Sequence, residues 1–141
     1  EAEGEARRGG PPTLFVHVHG ATALVPDGVV ESPVVRVHLV AAEGGEYLRR
    51  GGGREGHVEV LQTLPYAFKG RQGGELAPSW EEQLLVDADP ESVLGQGGAV
   101  ALFEVVQPPP SFGAYARQGA AFARGYHPVA WGFLRLPRPR E

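Results

Sequence analysis

Short runs of alternating apolar and polar residues, each cut off by glycine or proline, constrain this chain more than any other feature. Leu14, Val16 and Val18 alternate with Phe15, His17 and His19, and Val35, Val37 and Leu39 alternate with Arg36 and His38. A period of two puts successive side chains on opposite faces, as in a half-buried strand. With 21 glycines and 13 prolines in 141 residues, no amphipathic helical pattern runs far. The expected strands are 13–19, 34–40, 58–61, 81–86, 99–106 and 129–136. The run 99–106 is the most apolar and is expected to be a central strand buried on both faces. Asp89-Pro90-Glu91-Ser92-Val93-Leu94 predicts one helical turn, because proline is tolerated at a helix start and glutamate suits the first turn. Residues 49–56, with Gly51-Gly52-Gly53, read as a flexible region, and 69–77 and 107–125 as loops. Many short strands with recurrent turns predict an all-β antiparallel sandwich with long loops. Residues 1–12, charged and ending in Pro11-Pro12, read as a linker, 13–137 as the domain and 138–141 as a tail.

Composition narrows the chemistry. There is no cysteine, which removes disulfides, thiolate metal sites and cysteine nucleophiles together. The formal net charge of -4 argues against a nucleic-acid partner. Lys69 is the sole lysine and neither isoleucine nor asparagine occurs, a bias in which arginine replaces lysine by default. The missing methionine leads us to expect a piece of a longer protein. Serine never occurs as Gly-x-Ser-x-Gly, and the glycine runs lack the Lys-Ser/Thr of a phosphate loop. No enzymatic activity, cofactor or small-molecule substrate is therefore expected.

Five blocks in order carry a resemblance. They are Pro33-Val34-Val35-Arg36-Val37-His38-Leu39-Val40, Gly45-Glu46-Tyr47, Pro65-Tyr66-Ala67-Phe68-Lys69, Pro78-Ser79-Trp80-Glu81-Glu82-Gln83 and Ala130-Trp131-Gly132-Phe133-Leu134. Together they resemble the C2 family, and most closely the C2-like domains of the jouberin family of ciliary scaffolds. The resemblance implies a C2-type sandwich, a setting on the cytoplasmic side of a cilium or flagellum or its base, and ciliary or cytoskeletal protein partners. It also implies calcium independence. Asp27 stands near the family's first loop ligand, but Ser32 replaces the aspartate before Pro33. The third-loop Asp-x-Asp becomes Glu104-Val105-Val106, too few oxygens for calcium.

Candidate sites follow. The excursion 108–126 holds Phe112, Tyr115, Phe122 and Tyr126 with Arg117 and Arg124, the composition of interface hot spots, and is expected to dock a partner. The plainer reading, of equal weight, tucks these side chains back on the sandwich. The alternative function is calcium-independent binding of acidic lipid through a basic strand face of Arg36, His38, Arg49, Arg50 and Arg54. His17 and His19 share a face, and His38 completes a three-histidine zinc site if its strand lies nearby, a third reading that would make the site hydrolytic; histidines on strands are more often structural, so no metal is expected. Glu81 and Glu82 face opposite sides of a strand and cannot flank one bond as an acid–base pair. Trp80 and Trp131 are both expected in the core, where large aromatics contribute most.

Overall fold

The computed structural model describes residues 11–22, 24, 30–67, 77–109 and 125–138. Of these, 51% are strand and 6% helix, and every strand pair is antiparallel, which makes the chain an all-β sandwich without a closed barrel. The strands are β1 Phe15–Gly20, β2 Val34–Ala41, β3 Arg49–Gly51, β4 Arg54–His57, β5 Leu61–Gln62, β6 Ser79–Leu85, β7 Ala99–Gln107 and β8 His127–Arg135. Among the described residues there is one helix, α1 Pro90–Gly95, between β6 and β7.

One layer is a four-stranded sheet in the order β5-β2-β7-β8, and the other contains the β1–β6 pair. The short β3–β4 hairpin stands beside them. As the apolar run 99–106 implies, β7 is central. The β2–β7 register pairs Val35 with Val105, Val37 with Phe103 and Leu39 with Ala101, so one face of the sheet carries an unbroken apolar set. Val18, Trp80, Val86 and Val93 close over it from the second layer and from α1. Trp80 is in the core as expected, with its indole N–H donating to the Pro33 carbonyl at 3.1 Å. Two buried polar side chains tie down backbone that would otherwise lose its partners. Thr63 Oγ1 accepts from the Val35 amide at 2.9 Å. Gln107 Oε1 accepts from the amides of Glu31 and Ser32, each at 2.9 Å, and so fixes the approach to β2.

The predicted helical turn forms. Asp89 caps it, accepting from the Ser92 amide at 3.0 Å and from the Ser92 hydroxyl at 2.6 Å, with Pro90 in the first turn. Three expectations are corrected. Residues 49–56 are an ordered hairpin, because Gly51, Gly52 and Gly53 supply the positive φ of a tight turn. Gln96 braces that hairpin, pairing with both the amide and the carbonyl of Arg49. The strand expected over 58–61 does not form; β5 is Leu61–Gln62, and Val58 is buried in the core with its amide donating to the Leu48 carbonyl at 2.8 Å. Trp131 is 72% exposed, against the core position expected for it. Its register partner is Glu104, which places it on the outward face of the sheet.

Candidate functional site

Two places on the surface concentrate chemistry. The first is β8. Among the described residues this strand pairs only with β7, and its far side has no neighbour. Opposite Glu104 and Leu102 stand Trp131 and Phe133, 72% and 62% exposed. Leu134 points to the other face and is still 59% exposed, so the second layer stops short of this edge. Beside Trp131 a groove of about 370 Å³ is lined by Leu102, Glu104, Val106, Pro128, Val129 and Ala130. A register shift between Val105 and Val106 leaves Val129 as an extra residue on β8. Such a bulge bends an edge strand and increases its twist.

The outward face of β2 continues this surface. Arg36 lies with its guanidinium carbon 4.5 Å from the centre of the Tyr126 ring, and the Tyr126 hydroxyl donates to Gln62 at 3.2 Å. His38 stands between the Tyr47 hydroxyl and Glu104, each at 2.7 Å. A carboxylate can only accept, so His38 Nε2–H donates to Glu104, which leaves Nδ1 to accept from Tyr47.

The second place is the outward face of β1–β6. His17 Nε2 and His19 Nδ1 each lie 3.0 Å from the same oxygen, Oε2 of Glu81. The two imidazoles stack with centres 4.1 Å apart. Alternation along β1 puts both rings outward, while a bulge in β6 holds Glu81 at φ 48, an uncommon conformation for a residue with a side chain. Hydrogen bonds from His17 and then His19 hold the Glu81 carboxyl below its ordinary pKa. Glu82 turns the other way and accepts from the Leu64 amide at 2.8 Å, so the two adjacent glutamates diverge as alternation requires. Two imidazole nitrogens and a carboxylate oxygen are the one donor set among the described residues suited to a metal ion.

The expected sites map onto this framework unevenly. Of the predicted docking residues only Tyr126 is described, and it lies against Arg36, just before β8. Phe112, Tyr115, Arg117, Phe122 and Arg124 lie outside the described residues, as does Asp27. The predicted basic face is divided. Arg36 and His38 are on β2, whereas Arg49, Arg50 and Arg54 are on the β3–β4 hairpin. Several of these side chains already face acids. Arg50 meets Glu59 at 3.3 Å, His38 meets Glu104, and Arg54 grips Asp87 through two hydrogen bonds of 2.6 and 3.1 Å. That fork raises the pKa of Arg54 and lowers that of Asp87. His38 is not with His17 and His19; Glu81 takes the third place. The spacing of His17 and His19 was visible in the sequence, but Glu81 arrives through strand pairing and a bulge that no local pattern announces. No family model matches the chain, and no solved structure matches it.

Proposed function

We propose that this domain is a calcium-independent, C2-like protein-interaction module of a larger ciliary or axonemal scaffold, and that β8 makes the contact. One observation supports the reading above the rest: an edge strand of nine residues that presents Trp131 and Phe133 to solvent beside an apolar groove. Edge strands expose unpaired backbone donors and acceptors, and natural proteins usually shield them with charge, proline or a covering element. Among the described residues, Pro128 and Arg135 guard only the ends of β8. Aromatic residues on an open edge suit an extended apolar segment of a partner protein, added to the sheet by backbone hydrogen bonds and anchored by its side chains. Glu104, Val105 and Val106, expected in the third loop, lie inside β7 instead, and calcium independence rests on the sequence, in which residues 107–125 hold no aspartate or glutamate. The C2-like assignment and the ciliary setting rest on the sequence resemblance.

The test compares the unaltered chain with the double variant W131A/F133A for binding to isolated axonemes, with melting followed in parallel. We expect the variant to keep its melting temperature, since both side chains are solvated, and to lose most axonemal binding. Full binding by the variant would overturn the role given to β8, and absence of binding by the unaltered chain would overturn the axonemal setting. Co-sedimentation with acidic vesicles, with and without Ca²⁺, addresses the lipid alternative. The carboxylates beside Arg50, Arg54 and His38 lead us to expect no sedimentation; binding that R49E/R50E abolishes would establish a lipid-binding module instead.

A further inference from the structure

We infer that His17, His19 and Glu81 form a binding site for a divalent transition metal ion of the zinc or copper type, linking β1 to β6. The donor set comes first. Imidazole nitrogens suit zinc, copper and nickel, whereas calcium and magnesium take oxygen-rich cages. The geometry comes second. Donors bound at about 2.0–2.1 Å to one tetrahedral ion stand about 3.3 Å apart, close to the hydrogen-bond separation. The two nitrogens are each 3.0 Å from the carboxylate oxygen, and all three donor atoms lie within 4.8 Å of one another. Replacing two shared protons by one ion therefore requires only small side-chain shifts.

The backbone comes third. Among the described residues Glu81 is the one residue other than glycine at positive φ. It is held there from both sides. Trp80 is anchored in the core by its bond to Pro33, and β1 closes tightly on the start of β6, where the Ala21 amide donates to the Pro78 carbonyl at 3.0 Å. Residues held in sparsely populated backbone conformations cluster at functional positions, and this one carries its carboxylate to two histidines of another strand. Three protein donors on an exposed face leave coordination positions for water or for a ligand from outside. The site lies on the opposite layer from β8 and does not depend on what β8 binds.

The experiment is a Zn²⁺ titration by calorimetry on chelator-stripped protein, with thermal unfolding measured with and without Zn²⁺. We expect saturable binding of one ion per chain and a rise in melting temperature. H17A/H19A should abolish both, and E81Q should weaken binding by at least about tenfold, the lower end of the loss seen even for residues that only support a metal ligand. H38A should bind like the unaltered chain, since His38 belongs to a separate cluster. Circular dichroism of the metal-free variants separates a lost ligand from a lost fold, and the exposed H17A/H19A pair is expected to keep the native spectrum. Absence of saturable binding, or binding retained in a folded H17A/H19A variant, would overturn the inference. So would a loss of binding in a folded H38A variant.

Discussion

Leu39 is 1% exposed and meets Ala101 across the β2–β7 ladder, so truncating it opens a cavity that the sheet cannot fill by moving. Leu39→Ala should cost about 2–5 kcal/mol in chemical denaturation, the range for such core truncations. The two tryptophans show how residue and environment divide the work. Trp80 is followed by Glu81-Glu82-Gln83, whereas Trp131 lies in the apolar run 129–134, so local sequence favours burying the second more than the first. The structure does the reverse: Trp80 is 9% exposed because it faces the core, and Trp131 is 72% exposed because it stands on the outward face of the sheet opposite Glu104. Charge at this scale gives a pH prediction. The hydrogen bonds and charge of Arg54 lower the pKa of Asp87, and the Ser92 hydroxyl and amide lower that of Asp89. A carboxyl depressed on folding stabilises the fold above its unfolded pKa, and that contribution disappears as pH falls through the folded value. Arg54→Ala should therefore lower stability slightly at neutral pH, as expected for an exposed pair, and the difference should vanish in acid. Unfolding curves at several pH values check this; a difference that persists below the ordinary carboxylate range would rule out the Asp87 pairing as its source.

Elements meet here through glycines as much as through apolar side chains. At Gly20 a Cβ would lie 2.6 Å from the Pro78 carbonyl oxygen, so the end of β1 can approach β6 only without a side chain. At Gly51 φ is +69 and a Cβ would lie 2.1 Å from Ser92 Cβ, where the β3–β4 hairpin seats against α1. Gly51→Ala combines a left-handed alanine with that clash and should cost more than about 1 kcal/mol. Gly45→Ala, at φ +69 but in open space, should cost only the backbone part. Melting curves of the two variants make the comparison, and equal losses would mean that the hairpin does not pack on α1 as described. The capped helical turn was legible in Asp89-Pro90 because its signals are local. The β3–β4 hairpin was not. Its glycine run reads equally as a flexible loop, and what orders it is Gln96, distant in sequence, bonded to Arg49.

Among the described residues the sandwich has layers unequal in width, a four-stranded sheet against the β1–β6 pair, and β8 is the margin of the wider one. Trp131 and Phe133 stand on the outward face of β8, away from the second layer, which makes the surface to which we assign partner binding and is why W131A/F133A is expected to spare stability. Local pattern by itself determined that the chain is all-β and that Val35, Val37 and Leu39 face one core, through alternation, and that β7 is central, through its continuous apolar run, because both signals act within a few residues. It also determined that His17 and His19 share a face. Which strand lies at the edge, which tryptophan is solvated, and which carboxylate meets those histidines were decided only by the tertiary structure. Each depends on register between strands far apart in sequence, and a single bulge shifts that register without changing the local pattern.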